Sequence, residues 1–206
     1  MKEGRIVKAL SGFYYVKSGQ ETYRCRGRGL FRKRKITPLV GDFVSFMSDH
    51  PDEGYITEIK QRTNELIRPP IANINQAIIV CSISKPAFSS LLLDQFLVLF
   101  ESKKIQPVIF ISKADKITDT DGVKSYMDAY ENIGYDVELF SVKGDGDLAH
   151  LTHYFTDKVS VIAGQSGVGK SSMLNELDNT LFLKTDEVSE RLGRGKHTTR
   201  HVELLD

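Results

Sequence analysis

The chain has no tryptophan, only two cysteines and six prolines among its 206 residues, and no apolar run of membrane-spanning length. Cys25 and Cys81 lie in separate parts of the chain, so a disulfide framework is not expected, and no Cys-x-x-Cys zinc pair exists. His50, His150 and His153 form no metal-ligand spacing with either cysteine. The longest apolar stretch, residues 91–100, is interrupted by Asp94 and Gln95. That is far short of the ~20 residues that cross a bilayer. Met1-Lys2-Glu3-Gly4-Arg5 leads into no apolar signal block, so the expected location is the cytoplasm. A composition 40% hydrophobic and 27% charged excludes a disordered chain, a collagen and a coiled coil. The length suits one or two domains of about 100–200 residues each.

Neither sign of charge dominates the whole, at net +1, but the halves differ. Residues 1–68 hold 14 Lys/Arg against 8 Asp/Glu, and residues 69–206 hold 14 against 19. A basic module joined to an acidic one implies two jobs, one of them involving a polyanion. In the basic part, short β-branched and aromatic runs at 5–10, 13–17, 21–26, 43–48 and 55–59 are separated by Gly, Ser and Asp turns. Five short strands fit a small barrel of the oligonucleotide-binding (OB) kind. At Arg68-Pro69-Pro70 the pattern stops, and this marks the boundary between a domain at 1–66 and one at 67–206. Beyond it, apolar strands at 76–83, 106–112, 135–142 and 158–163 alternate with helix candidates near 90–104, 121–133 and 146–156, and another begins near Gly169. Leu93, Phe96, Leu97 and Phe100 recur at helical spacing. The expected fold of this part is α/β with a parallel sheet covered on both faces, its ligands bound at the carboxyl ends of the strands.

The chemistry is placed there. Gly164-Gln165-Ser166-Gly167-Val168-Gly169-Lys170-Ser171, followed by Ser172, matches Gly-x-x-x-x-Gly-Lys-Ser between a strand and a helix. The glycines let consecutive backbone N–H groups turn toward phosphate oxygens at a helix N-terminus. Lys170 would bridge the β- and γ-phosphates, and Ser171 would ligate Mg²⁺. Ser112-Lys113-Ala114-Asp115 ends a strand and resembles the Asn-Lys-x-Asp motif of GTPases. A carboxylate at Asp115 accepts from guanine N1–H and its 2-amino group; adenine offers neither donor, which argues against an ATP-using P-loop enzyme. Lys113 would lie along the base. Ser112 stands where the usual Asn would brace the phosphate loop and reach N7, and a shorter hydroxyl does only part of that. Ser141-Val142-Lys143 resembles the Ser-Ala-Lys signature whose amides support guanine.

The order of these motifs is unusual, with Asp115 lying 49 residues before Gly164. The same strands close around one site only if the chain is circularly permuted. With the N-terminal barrel, Arg68-Pro69-Pro70-Ile71-Ala72-Asn73-Ile74 and Gly193-Arg194-Gly195-Lys196-His197-Thr198-Thr199-Arg200-His201, the whole chain resembles the RsgA (YjeQ) family of ribosome-associated GTPases. The resemblance implies an OB domain, a permuted GTPase domain and a C-terminal zinc domain, with action late in 30S assembly. GTP and GDP would be the nucleotides, with Mg²⁺, and Zn²⁺ is expected only in the family's C-terminal domain. His197-Thr198-Thr199 matches the family's switch I; Thr199 would ligate Mg²⁺, and His197 is a candidate for positioning the attacking water. The resemblance also leads one to expect an Asp-x-x-Gly after the switch, and none follows. The expectation is therefore a shortened GTPase sheet that binds nucleotide and hydrolyses it poorly. The rival is a nucleotide-gated RNA-binding module without turnover.

Residues 24–35 hold seven basic side chains and no acidic one: Arg24, Arg26, Arg28, Arg32, Lys33, Arg34 and Lys35. This run, with Phe31 interleaved, is expected to neutralise phosphates of 16S rRNA with little sequence preference and a steep salt dependence. The 30S subunit is the expected partner. Nothing in the sequence suggests an obligate oligomer, and a monomer is expected.

Overall fold

The computed structural model describes residues 1–27, 29, 31, 36–117, 120–143, 148–181, 183 and 202–204. The chain divides into two compact units, Met1–Ile74 with Gly193–Asp206, and Asn75–Leu192.

In the first unit β1 (Lys2–Leu10), β2 (Phe13–Ser18) and β3 (Glu21–Gly27) form an antiparallel meander. β3 pairs in parallel with β5 (Glu53–Ile59), β5 pairs antiparallel with β4 (Phe43–His50), and β4 returns to β1. The ring closes in the order 1-2-3-5-4-1, the topology of an OB barrel. The period-two pattern turns Ile6, Val16, Tyr23, Cys25, Phe46 and Ile56 inward, all at most 4% exposed. Arg24 and Arg26, between them in sequence, stay exposed. Register shifts in β1 and β4 supply the local bends that closure of so small a barrel needs.

The unit runs past residue 66. β6 (Glu65–Leu66) and β7 (Ile71–Ala72) form a two-stranded hairpin, and Arg68-Pro69-Pro70 is its turn. The Ala72 amide donates to the Val40 carbonyl at 2.9 Å. Asn73, in the left-handed region at φ 57°, donates from Nδ2 to the Gly41 carbonyl at 3.0 Å. Gly41 is required there: its φ is 93°, and a Cβ would lie 2.0 Å from the Ala72 carbonyl oxygen. Near the other end of the chain, β12 (Val202–Glu203) pairs antiparallel with β1, Lys8 opposite Glu203.

In the second unit β8 (Gln76–Ser82), β9 (Gln106–Ser112), β10 (Asp136–Phe140) and β11 (Ser160–Ala163) make a parallel sheet in the order β10-β9-β8-β11. α1 (Ser90–Ser102) starts at Ser89, whose Oγ accepts the Leu92 amide at 3.4 Å, and it buries Leu93, Leu97 and Phe100. α2 spans Thr120–Ile133 and α3 Lys170–Leu177. The helix expected near 146–156 is a 3₁₀ segment at Leu148–Tyr154, held to the sheet by Leu148 and Leu151. The core joins Ile78, Val80, Val108, Phe110 and Phe140 to Leu151 and Met173, so strand and helix faces share one apolar cluster.

Candidate nucleotide-binding site

The phosphate-loop motif begins where β11 ends. Gly164, Gly167 and Gly169 all have positive φ, at 136°, 77° and 100°. Gly164 passes so close to β8 that a Cβ would lie 2.2 Å from the Val80 carbonyl oxygen, which makes glycine obligatory there. A Cβ at Gly169 would meet nothing within 4 Å, and no side chain caps the start of α3. The Lys170 ammonium donates to the carbonyls of Gly164 at 2.9 Å and Gln165 at 2.6 Å, so it folds back across the loop that precedes it. Burial lowers the Lys170 pKa, and both of these acceptors are neutral. A cation half removed from water beside glycine-rich backbone favours an incoming anion. Ser171 and Ser172 follow in the first turn of α3.

The ends of β9 and β10 converge on the same loop. Ser112 is 2% exposed, and its Oγ lies 2.6 Å from the Val168 carbonyl oxygen and 2.9 Å from that of Cys81. Its single proton serves one acceptor at a time. Lys113, left-handed at φ 65°, donates to the Gly167 carbonyl at 2.9 Å and to the carbonyl of Lys85. Its pKa is lowered, chiefly by burial and then by Lys116 and Lys143, against the opposing pull of Asp115. Ala114 and Asp115 begin a one-turn 3₁₀ helix. The Ser141 hydroxyl donates to Asp115 Oδ1 at 2.5 Å and lies 2.9 Å from the Lys143 carbonyl, while the Lys143 amide donates back to Ser141 Oγ at 3.2 Å. Val142 lies between them, half-buried against the core. The ends of β9 and β10 and the loop after β11 are thus joined, across as many as 56 residues of sequence, by hydrogen bonds through Ser112, Lys113 and Ser141.

Lys85 was not marked by the sequence; it enters through a backbone carbonyl, which no motif encodes. Beside the loop, Val80, Cys81, Phe88, Leu92, Phe96 and Val168 line a cavity of about 10 Å³, no larger than one water. Burial pushes the Cys81 thiol up to about 11. Among the described residues no three His, Cys, Asp or Glu side chains gather as a metal site. His197 and Thr199 lie outside the described residues, as do Arg28, Arg32, Lys33, Arg34 and Lys35. Arg24 and Arg26 stand on β3, their guanidinium carbons 5.1 and 4.8 Å from the centre of the Phe13 ring. Among the described residues no helix is long and apolar enough to cross a membrane.

A family model for the RsgA GTPase matches residues 59–206, and one for the RsgA N-terminal domain matches residues 3–56. The chain belongs to the RsgA GTPase family. It is 61% identical over its full length to small ribosomal subunit biogenesis GTPase RsgA 2 of Oceanobacillus iheyensis and 57% identical to RsgA of Bacillus subtilis. In both cases it spans 71% of the relative's length. Among solved structures it is similar to YloQ, described as a circularly permuted GTPase, at a TM-score of 0.74 and 55% identity. That match covers 85% of this chain and 63% of YloQ. YjeQ from Thermotoga maritima matches at a TM-score of 0.78 and 33% identity, over 90% of this chain and 68% of that one. The chain therefore carries an N-terminal OB barrel followed by a circularly permuted GTPase domain, in which β9 and β10 precede β11 and the Gly-x-x-x-x-Gly-Lys-Ser motif.

Proposed function

We propose that this chain binds guanine nucleotides at the carboxyl ends of β8–β11, hydrolyses GTP to GDP, and uses nucleotide state to set its hold on the small ribosomal subunit late in assembly. The relatives' role as small ribosomal subunit biogenesis GTPases supports the reading. The observation that carries it is the set of hydrogen bonds from Ser112 and Lys113 to the phosphate loop and from Ser141 to Asp115. They tie the strand end that would read the base to the loop that would read the phosphates, and side chains fixed by such bonds lose less freedom on binding.

The backbone from Gly164 to Ser172 cradles the phosphates, and Lys170, released from the Gly164 and Gln165 carbonyls, reaches the β- and γ-phosphate oxygens. Asp115, steadied by Ser141, accepts from the guanine N1–H and 2-amino group. Ser171 offers a hydroxyl oxygen of the kind a hard divalent cation takes. Mg²⁺, when bound, neutralises charge on the β- and γ-oxygens. His197 is assigned to orienting the attacking water and Thr199 to the metal. Developing charge in the transition state is met by Lys170 and the loop amides. The barrel docks on 16S rRNA through Arg24, Arg26, Arg28, Arg32, Lys33, Arg34 and Lys35, with a phosphate-dominated, salt-sensitive affinity.

A fluorescent GDP analogue competed with GDP, GTP and ATP tests the site. Competition by both guanine nucleotides and not by ATP is expected; equal competition by ATP would remove the guanine reading. Single-turnover hydrolysis with and without 30S subunits then separates a GTPase from a nucleotide-gated binding module.

A further inference from the structure

The registers of the barrel strands place one residue from each of five strands in a single transverse row. Leu10 on β1 pairs with Phe13 on β2, Phe13 with Arg26 on β3, Arg26 with Tyr55 on β5, and Tyr55 with Met47 on β4. Their sequence neighbours Cys25, Ile56 and Phe46 are buried, so the row faces outward. Tyr55 is 54% exposed, Met47 52% and Leu10 41%. Large apolar side chains aligned across an outer barrel face are not explained by the core.

The charge on this face is cationic and held in place. The guanidinium of Arg26 stands 4.8 Å and that of Arg24 5.1 Å from the Phe13 ring centre. Arg24 is further fixed by donating from Nε to the Asp52 carbonyl at 3.2 Å. Among the described residues neither arginine forms an ion pair with a carboxylate. Phe13 thus holds the Arg26 guanidinium against its ring, in the same transverse row as the exposed Tyr55. Flat, cationic and aromatic surfaces side by side fit the faces of unpaired nucleobases, because every base has a π-face while its phosphate carries the charge. A duplex keeps those faces stacked on one another and cannot offer them.

We propose that the row from Phe13 through Arg26 to Tyr55 is a base-stacking subsite for unpaired RNA, in which Arg26 belongs to the basic run while Phe13 and Tyr55 supply the ring faces that the phosphate-neutralising charges of that run do not. This rests on the reading that the barrel binds RNA and specifies which RNA it selects. The test uses the full chain and two fluorescein-labelled RNAs of equal phosphate count, an unstructured dodecamer and a hairpin duplex, each titrated across a salt series. Tyr55→Ala should weaken the dodecamer by roughly 5- to 100-fold, as loss of one stacked base does, without changing the salt slope. Hairpin binding should stay within about twofold, and Tyr55→Phe should keep the wild-type affinity, since the ring and not the hydroxyl does the stacking. An unchanged far-UV circular dichroism spectrum, together with wild-type hairpin affinity, would show that the barrel of the variant is folded. Equal losses on dodecamer and hairpin, or no loss on either, would overturn the subsite while leaving salt-dependent RNA docking in place. No binding of either RNA by the wild-type chain would overturn the RNA reading and the subsite with it.

Discussion

Asp115 and Ser112 show how single side chains divide the work of the nucleotide site. The Asp115 carboxylate has one oxygen held by Ser141 at 2.5 Å, and in the proposed site it would accept two donors from guanine. In Asp115→Asn a side-chain amide would face the 2-amino group, donor against donor, whereas the 2-oxo group of xanthine would accept. GDP affinity should fall by ~10-fold or more and XDP should become the better competitor of the fluorescent analogue; a variant still preferring GDP would detach Asp115 from base reading. Ser112 illustrates a different kind of dependence. It braces the phosphate loop through the Val168 carbonyl, one part of the role that Asn has in the motif Ser112–Asp115 resembles. Ser112→Ala leaves a buried acceptor without its donor, so thermal unfolding should show a loss of about 1–3 kcal/mol. What the sequence could not show is Lys113 donating to the Gly167 carbonyl, because the left-handed backbone that aims it there is a property of the turn, not of the residue type.

Elements were legible where one local rule dictated them. The run from β11 through the three positive-φ glycines into α3 is such a case, since each glycine answers a backbone conformation that other residues resist. The five barrel strands were also readable, from short β-branched and aromatic runs separated by Gly, Ser and Asp turns. Residues 65–74 were not, because Arg68-Pro69-Pro70 breaks a strand equally well inside a hairpin turn and between domains. What ties this segment to the barrel is tertiary: beside the Ala72 and Asn73 bonds to Val40 and Gly41, Arg62 pairs with Glu65 while gripping the fully buried Asp42 with Nε to Oδ1 at 2.7 Å and Nη2 to Oδ2 at 2.8 Å, and its Nη2 also donates to the Thr37 carbonyl at 2.8 Å. Asp42 in turn accepts the Leu39 amide at 2.7 Å. Arg62→Ala strands a carboxylate without its cation and should cost about 3–5 kcal/mol in denaturant unfolding. Arg62→Lys should recover only part of that loss, because an ammonium cannot match the two-pronged geometry.

Across the whole molecule the split of charge into a basic first third and an acidic remainder corresponds to a barrel and a nucleotide-binding sheet, each with its own core. Each unit also holds one of the two thiols, Cys25 in the barrel core and Cys81 half-buried on β8, and burial lifts both from 9.0 to about 11. Between those values the unfolded chain has released protons that the folded chain still holds, so stability should fall as pH rises from about 9 toward 11. Comparing melting temperatures at both ends of that window for the wild type and a Cys25→Ser, Cys81→Ser double variant checks this; an equal drop in both would exonerate the thiols. The pairing of β12 with β1 has a consequence for the order in which the molecule is made. Lys8 and Glu203, joined at 3.0 Å, are 195 residues apart, whereas β1 meets β4 within the first 46 residues. At about 5–20 residues per second of synthesis, the barrel can close many seconds before its outer strand emerges. Through that interval the Val7–Ala9 stretch of β1 lacks the partner that β12 supplies, so the ribosome delivers the whole nucleotide-binding unit before that stretch gains its neighbour.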